Sequence, residues 1–186
     1  MRVVAGKFRS SRIEAPKGLA TRPTSDRVRQ ALFNVLTHGS PNFDFEGARV
    51  LDLFAGSGAL GLEALSRGAR FCLFIEESAE ARAAIRRNVE ALGLTGITKI
   101  WRRDATKLGE AGNVQPFDLI FCDPPYGKGL GERALAGVAE GGWVRQGSVA
   151  VLEEGADQDI RWPNSFQEID RRRYGDTLIA LAKLGR

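Results

Sequence analysis

The sequence has few cysteines and histidines and no long apolar run. Among its 186 residues, the cysteines are Cys72 and Cys122, and the single histidine is His38. Both cysteines lie in apolar segments typical of buried strands, which predicts reduced core residues of a cytoplasmic protein rather than a disulfide framework. Without a cluster of Cys and His residues we expect no metal site. Because no run of eighteen apolar residues occurs and residues 1–7 lack a long apolar segment, we expect neither a membrane span nor a secretory signal.

Internal repeats, low-complexity tracts and linkers long enough to separate domains are also missing from the sequence. Apolar residues make up 43% and charged residues 27% of the chain, which is ordinary for a globular protein. This length and composition predict one domain with a sizeable core, and one compact domain favours a monomer.

Positive charge is concentrated near the N-terminus. The first thirty residues contain eight Lys or Arg against Glu14 and Asp26, a net charge of +6, whereas the whole chain carries +4. Residues 1–23 also contain Gly6, Pro16 and Gly18 between short apolar positions, a pattern typical of a hairpin or an extended arm. A basic arm on a near-neutral body suits a polyanionic partner, but the same charges also fit a solvated tail.

From Ala48 onward, apolar strands alternate with helical segments. Near-continuous apolar strands are typical of a parallel sheet covered by helices on both faces, which indicates an α/β fold. A helix that is capped by Thr24 or Ser25 and stops near Gly39 precedes this region. The predicted strands are Arg49–Phe54, Phe71–Glu76, Thr98–Arg102, Phe117–Cys122 and Ser148–Glu153, then an antiparallel hairpin of Phe166–Arg173 and Thr177–Leu184. The clearest helices between them are Ala59–Ser66 and Ala79–Leu92.

A glycine-rich turn follows the first strand. Gly56, Gly58 and Gly61 match the spacing of a dinucleotide-binding loop, and Glu76 lies twenty residues after Gly56, where a carboxylate can accept hydrogen bonds from ribose hydroxyls. Glycines allow a ligand to approach the backbone closely, and the following helix N-terminus offers free N–H groups. This pattern alone also fits a nicotinamide enzyme.

Two acids favour a different cofactor. Asp52 precedes the loop, where a carboxylate would repel a pyrophosphate but suits a cationic group such as the methionine part of S-adenosylmethionine. Asp104 follows the third strand and can accept a hydrogen bond from an adenine amino group. The competing interpretation is that Asp52 caps a turn and Asp104 starts a loop.

The fourth strand runs directly into Asp123-Pro124-Pro125-Tyr126. The prolines fix the backbone and remove two donors, so carbonyls and the Asp123 carboxylate become rigid acceptors, and Tyr126 offers a ring for stacking on a base. Acceptors that hold the hydrogens of an exocyclic amino group favour a pyramidal nitrogen, and these contacts strengthen as positive charge develops there. The alternative is a plain Pro-Pro turn between a strand and a helix.

These two motifs resemble the signatures of class I amino-methyltransferases that act on nucleic acids. Residues 4–9, 22–34 and 58–68 are more specific, and with them nearly the whole chain is similar to the bacterial 16S ribosomal RNA guanine-N2 methyltransferase family of RsmD type. The resemblance implies a Rossmann-like class I methyltransferase fold with a seven-stranded, mostly parallel sheet and a C-terminal antiparallel hairpin. It implies a basic N-terminal arm over residues 1–23 and a methyltransferase domain over 24–186. The implied reaction moves a methyl group from S-adenosylmethionine to guanine N2 in 16S rRNA of the small ribosomal subunit.

The resemblance, together with the loop chemistry, assigns three groups of residues. The expected cofactor contacts are Arg22, Thr24, Asp52, Phe54, Ala55, Gly56, Ser57, Gly58, Glu76, Glu77, Asp104 and Ala105. The expected catalytic residues are Asp123, Pro124, Pro125 and Tyr126. The expected phosphate contacts on RNA are Lys7, Arg9, Arg12, Arg22, Arg27 and Arg29. Relatives often have Glu-x-Asp after the second strand, so Glu76-Glu77-Ser78 leaves open which acid binds which ribose hydroxyl.

Other functions share parts of this pattern. A DNA adenine-N6 methyltransferase would use the same Asp-Pro-Pro-Tyr chemistry, but such enzymes usually carry an inserted recognition region, for which this chain has no room. A small-molecule methyltransferase would not need a strongly basic arm. A nicotinamide oxidoreductase and a non-catalytic RNA-binding module are the remaining alternatives, and cofactor preference and the effect of Asp123→Ala distinguish them. The sequence does not identify the modified nucleotide, nor whether the substrate is naked rRNA or an assembled particle.

Overall fold

A computed structural model describes residues 1–17 and 24–185. The described helices are α1 (Asp26–His38), α2 (Ala59–Ser66), α3 (Ala79–Ala91) and α4 (Leu130–Glu140), with short 3₁₀ turns at Thr95–Ile97 and Ala105–Lys107. The described strands are β1 (Arg49–Leu53), β2 (Phe71–Ile75), β3 (Thr98–Trp101), β4 (Phe117–Cys122), β5 (Val144–Gly155), β6 (Phe166–Tyr174) and β7 (Thr177–Leu184).

The strands form one seven-stranded sheet in the order β3-β2-β1-β4-β5-β7-β6. Strands β1 to β5 are parallel, and β7 runs antiparallel to both β5 and β6. The chain builds the sheet outward from β1 to β3, then returns to place β4 on the other side of β1. The strand order therefore reverses between β1 and β4, and ligands of open α/β sheets bind at such a point. The predicted fold class is confirmed.

Alternating side chains of the strands pack into two hydrophobic cores, one on each face of the sheet. Val50 and Phe121 belong to the core under α1, α2 and α3. Leu51 and Ile120 point to the opposite core, which α4 covers together with the 3₁₀ turn at Ala105–Lys107. Because each strand is buried on both faces, its sequence reads as an almost continuous apolar run. Cys72 and Cys122 are free, buried members of these two cores.

Most predicted element boundaries agree with the structure to within one residue. The largest difference is β5, which extends over Val144–Gly155 instead of Ser148–Glu153, because Val144 pairs with Phe117 of β4 before a bulge that precedes the pairing of Val149 with Leu119. Helix α1 begins after Ser25, whose hydroxyl accepts from the Val28 N–H. Among the described helices, none combines the length and apolar character that a bilayer-spanning segment needs.

The N-terminal segment forms a hairpin that is packed against the domain. Arg2 and Arg12 face each other in an antiparallel bridge, and Val3 and Ile13 are buried in the α1–α3 core. The boundary at residue 23 between an arm and a domain, expected from the sequence, lies outside the described residues. Residues 1–17 are therefore packed against the domain and do not form a freely solvated tail.

The hairpin is attached to α2 through Glu63 and Ser66. The Glu63 carboxylate accepts from the backbone N–H groups of Val4 and Ala5 at 2.8 and 3.0 Å. The Ser66 carbonyl accepts from the Lys7 N–H at 2.8 Å. A Cβ on Gly6 would lie 2.0 Å from that carbonyl oxygen, so the close contact requires glycine at position 6.

Arg29 is not available to RNA, and the sequence-based assignment of a phosphate contact is wrong for this residue. Its side chain is fully buried beneath the hairpin, with Nε 3.6 Å from Glu63 and Nη2 2.9 Å from Asp26. Nη2 also donates to the Arg2 carbonyl. Arg29 therefore compensates the buried charge of Glu63, a need that the sequence does not reveal.

Candidate active site

Two loops that carry the sequence motifs leave the sheet side by side. Leu53, the last residue of β1, is paired with Cys122, the last residue of β4. The glycine loop and the Asp123–Tyr126 segment each begin at the next residue. Because β1 and β4 flank the point where the strand order reverses, both loops border the same crevice. The register thus brings the two predicted parts of the site together.

The glycine loop is bent by residues with left-handed backbone. Phe54, Gly56 and Gly58 have φ angles of 55°, 58° and 80°, and Gly58 is the N-cap of α2. Phe54 is not a glycine, so this conformation is strained there, and the neighbouring contacts must hold it. A Cβ on Gly56 would have nothing within 4 Å, which leaves open space beside the loop backbone. Free N–H groups at the start of α2 face the same crevice end of the sheet.

Asp52 stabilises this loop from inside the protein. It is 1% exposed, and its Oδ2 accepts from the Gly61 N–H at 3.0 Å, which ties β1 to the first turn of α2. Burial raises the pKa of Asp52 well above its ordinary value. The structure thus gives Asp52 a loop-positioning contact, as in the competing interpretation drawn from the sequence, rather than an exposed position at the crevice.

Glu76 joins the ends of β1 and β2. Its Oε1 accepts from the Gly56 N–H at 3.0 Å and its Oε2 from the Ser78 N–H at 3.3 Å. A carboxylate has about four lone-pair positions, so acceptor capacity for ribose hydroxyls remains. The adjacent Glu77 side chain is exposed.

Asp104 borders the same end of the sheet after β3. One carboxylate oxygen, Oδ1, accepts from both the N–H and the hydroxyl of Thr106, at 2.9 and 2.7 Å. The hydroxyl hydrogen bond lowers the pKa of Asp104, so the group is ionised at neutral pH with Oδ2 still able to accept. A shallow depression lies nearby, and its lining residues are Phe54, Ile75, Glu76, Glu77, Arg103 and Ala105.

Asn88 is a loop-supporting residue that sequence reasoning missed. It lies on α3, is 3% exposed, and its Nδ2 donates to the carbonyls of Ser57 and Glu14, both at 3.0 Å. Its Oδ1 accepts from the Glu14 N–H at 2.8 Å. This amide therefore connects the glycine loop to the segment that follows the hairpin. A single Asn in an amphipathic helix gives no signal of this role.

The Asp123–Tyr126 segment crosses the end of the sheet in a fixed path. Pro124 is buried, whereas Pro125 and Tyr126 are exposed. Helix α4 approaches this segment closely, since a Cβ on Gly131 would lie 3.2 Å from Cγ of Pro124 and 2.5 Å from Leu152. Tyr126 remains 43% exposed, so its ring is accessible to a ligand.

Tyr126 is held by side chains from β5 and β7. Its hydroxyl donates to Oε1 of Glu153 at 2.6 Å and lies 3.4 Å from the Thr177 hydroxyl. A Cβ on Gly155 would lie 3.3 Å from Cδ2 of Tyr126, so one side of the ring rests on the Gly155 backbone. Burial and the hydrogen bond to Glu153 raise the pKa of Tyr126, so the phenol stays protonated as a donor.

Glu153 and Glu154 at the end of β5 were not singled out from the sequence. Glu153 Oε2 accepts from the Thr24 hydroxyl at 2.9 Å, which places Thr24 beside the crevice. Glu154 Oε1 accepts from the N–H groups of Gly127 and Gly155 at 2.8 and 2.9 Å. Two consecutive acids at the end of a strand are typical of a solvent-exposed strand terminus. The sequence therefore does not indicate that Glu153 and Glu154 make these contacts. Arg22 lies outside the described residues.

Carboxyl groups of several acidic residues lie close together at this end of the sheet. Removal from water raises the pKa of Asp123 well above its ordinary value, and the nearby carboxylates of Glu153, Asp52 and Glu154 raise it further. Clustered carboxylates favour a positively charged ligand and disfavour a pyrophosphate. Together with the acceptors Glu76 and Asp104, this charge fits S-adenosylmethionine better than a nicotinamide dinucleotide.

Basic side chains lie on the hairpin and at the start of α1. Lys7, Arg9, Arg12 and Arg27 are exposed. The bridge between Arg2 and Arg12 fixes the backbone that carries the first three of them. They remain available to a polyanion, unlike Arg29.

The fold and the site together define a Rossmann-like methyltransferase. Its marks are the strand order, the glycine loop after β1, the acids after β2 and β3, and the Asp-Pro-Pro-Tyr segment after β4. Among solved structures, the chain is similar to "Putative methyltransferase yhhF" from Escherichia coli, with a TM-score of 0.85 and 29% identity over 100% of this chain and 98% of the other. The family model described as conserved hypothetical protein 95 matches residues 1–183, and the chain belongs to this family.

Curated relatives support the same class. The chain is 35% identical to "Putative rRNA methyltransferase YlbH" from Bacillus subtilis over 98% of both proteins. It is 31% identical to "Ribosomal RNA small subunit methyltransferase D" from Escherichia coli, over 86% of this chain and 77% of the relative. The protein is thus a methyltransferase, and the family resemblance drawn from the sequence motifs is confirmed.

Proposed function

We propose that this methyltransferase uses S-adenosylmethionine to methylate the exocyclic N2 of a guanine in 16S rRNA, in the cytoplasm where small subunits assemble. The observation that carries the proposal is the Asp123–Tyr126 segment, which follows β4 directly beside the glycine loop of β1. Rigid acceptors and an exposed ring at this position suit an aromatic amine. The names of the curated relatives support rRNA as the substrate, and one of them specifies the small subunit.

The residues present fit the cofactor. Gly56 leaves the loop backbone open, Glu76 and Asp104 retain free acceptor capacity, and the carboxylates at the ends of β4 and β5 favour a cation. When bound, S-adenosylmethionine supplies an electrophilic methyl group on a positively charged sulfonium. Tyr126 would stack on the guanine ring, and Asp123 and the Pro124 carbonyl would accept from its amino hydrogens.

Electrostatics at the end of the sheet would assist the reaction. The amino nitrogen of guanine is a weak nucleophile because its lone pair is delocalised into the ring. Acceptors on both hydrogens favour a pyramidal nitrogen with a directed lone pair, and they bind more strongly as positive charge develops on it. The nearby carboxylates of Glu153 and Glu154 also stabilise that charge, so the proton can leave after transfer without a strong general base.

The test is transfer of tritiated methyl from labelled cofactor to 16S rRNA. Naked RNA and small-subunit particles from a strain that lacks the corresponding methyltransferase are the two substrates, followed by digestion and nucleoside analysis. We expect label in N2-methylguanosine. Label in N6-methyladenosine, in DNA only, or in no nucleoside would overturn the proposal.

Asp123→Ala is the matched variant for this assay. Without its acceptor, transfer is expected to fall about a hundredfold or more, because transition-state contacts of this kind contribute at least that factor. Calorimetric affinity for S-adenosylhomocysteine should stay within about twofold of the unmodified protein, since Asp123 acts on the base. Unchanged transfer by Asp123→Ala would instead favour a non-catalytic RNA-binding role.

A further inference from the structure

The end of β5 carries two consecutive buried carboxylates. Glu153 is 7% exposed and Glu154 is 3% exposed. Successive side chains of a strand point to opposite faces, so the two acids reach the loop that follows β4 from different sides. Glu153 accepts from the Tyr126 hydroxyl, and Glu154 accepts from the N–H of Gly127, the next residue. Buried carboxylates are costly, and both of these serve the same loop.

Glu153 is the member of this pair that controls an exposed ring. Its Oε1 lies 2.6 Å from the Tyr126 hydroxyl oxygen. The backbone of Gly155 lies against one side of the Tyr126 ring. The Oε2 of Glu153 is occupied by the Thr24 hydroxyl at 2.9 Å, which fixes the orientation of the carboxylate itself. One side of the Tyr126 ring therefore packs on Gly155 and the other side is accessible. The orientation of the ring depends on the hydrogen bond between its hydroxyl and Glu153.

We propose that Glu153 is a positioning residue for methyl transfer, which orients the Tyr126 ring against the target base and adds negative charge beside Asp123. This inference rests on the proposed function. Glu153 touches neither base nor cofactor in this assignment, and acts through the two residues that do.

Kinetic measurements on Glu153→Gln test the first half of the proposal. Glutamine keeps the shape but weakens the hydrogen bond to Tyr126, so we expect kcat to fall about tenfold, the worth of one charge-assisted hydrogen bond. Affinity for S-adenosylhomocysteine should not change. Tyr126→Phe retains the ring without its hydroxyl and should show a similar loss of kcat. The double variant should lose no more than Glu153→Gln alone, because both substitutions interrupt the same hydrogen bond.

The pH profile tests the second half. The carboxylates that face Asp123 are Glu153 and Glu154 from β5 and Asp52 from β1. A neighbouring negative charge raises the pKa of Asp123, so its ionised, accepting form is lost as pH falls through that raised value. Glu153→Gln removes one such charge and should move the acid limb of kcat to lower pH, whereas Tyr126→Phe should leave the limb in place.

Glu168→Gln on β6 is the control, because it removes the same charge from the edge strand, where Glu168 contacts Arg171 instead of Tyr126. It should match the unmodified protein in kcat and pH profile. A merely structural Glu153 would lower the melting temperature but leave kcat and the acid limb of the folded protein unchanged, and that result would overturn the proposal.

A spectroscopic readout separates this proposal from the proposed function. Protein labelled with ¹³Cζ-tyrosine has two signals, from Tyr126 and Tyr174, and Tyr126→Phe assigns them. Glu153→Gln should shift the Tyr126 signal, and Glu168→Gln should not. If no rRNA is methylated but the signal shifts, the proposed function fails while the control of Tyr126 by Glu153 stands. An unshifted signal overturns that control whatever the substrate.

Discussion

Two glycines at opposite ends of β1 have the same local geometry but different surroundings. Gly47 precedes the strand and Gly56 follows it, with φ angles of 73° and 58°, and a Cβ on either would meet nothing within 4 Å. Any side chain there carries the same backbone strain, so the two positions differ only in what approaches them. Gly56 borders the crevice, and Gly47 lies at the other end of the sheet.

Gly56→Ala and Gly47→Ala therefore separate backbone strain from ligand contact. Each should lower the free energy of unfolding by about 1 to 2 kcal/mol, the cost of a left-handed alanine. Gly56→Ala alone should weaken the binding of S-adenosylhomocysteine, by about tenfold or more, because its Cβ occupies space beside the loop backbone. Urea denaturation and titration calorimetry measure the two quantities. Equal affinities in both variants would show that no ligand approaches Gly56.

Sequence reasoning identified the residues of the two loops but not the side chains that hold them. Gly56, Asp123 and Tyr126 are recognisable because their types and spacing follow from the chemistry of a site. Arg29 and Glu63 read as surface charges, yet both are fully buried against each other. Charge counting cannot tell a buried ion pair from a solvated one, and Glu153 escaped notice for the same reason.

At the scale of elements, the N-terminal hairpin is part of the folded domain. Contacts of its backbone with Glu63 and Ser66 fix it on α2, and Asn88 connects the following segment to the glycine loop. Its exposed cations, Lys7 and Arg9, thus have a defined position relative to the crevice.

Replacing Lys7, Arg9 and Arg12 together by Gln should reduce the salt dependence of RNA binding. Each lost phosphate contact lowers the slope of log K against log salt by up to about one, so the slope should fall by about 2 to 3. Filter binding of 16S rRNA fragments between low and moderate salt measures it. Transfer to saturating RNA should be little affected, since these residues hold phosphates and not the base.

A charge-matched control for this variant replaces exposed cations elsewhere. Arg70, Arg86 and Lys99 are exposed outside the hairpin, and their joint replacement by Gln should leave the slope near that of the unmodified protein. If the control and the hairpin variant changed the slope equally, binding would reflect net charge alone and the hairpin would have no particular role.

Among the elements, strands and the first three helices were predictable because apolar periodicity and caps mark them. Helix α4 was not delimited, since Gly129, Gly131, Gly137 and Gly141 interrupt the stretch and resemble loop residues. Tertiary contact explains one of them: a side chain at Gly131 would collide with Leu152. Such close helix–sheet contacts are invisible until the partner element is known.

For the whole molecule, the cofactor should stabilise the fold as well as serve the reaction. At a concentration of one hundred times its Kd, a ligand adds about 2.7 kcal/mol, which for a chain of this size raises Tm by about 5 to 10 °C. We expect this shift with S-adenosylhomocysteine in differential scanning fluorimetry. NAD at the same concentration should give no shift, and the reverse preference would indicate a nicotinamide enzyme.

The carboxylates at the ends of β4 and β5 disfavour the entry of phosphate groups into the crevice. Asp123, Glu153 and Glu154 repel the sugar–phosphate backbone, while the cationic hairpin attracts it to a separate surface. An uncharged base can reach the end of the sheet only if it is rotated away from its own phosphates. Free guanine nucleotides, whose phosphates lie close to the ring, should accordingly be poor acceptors compared with a nucleotide inside an RNA chain.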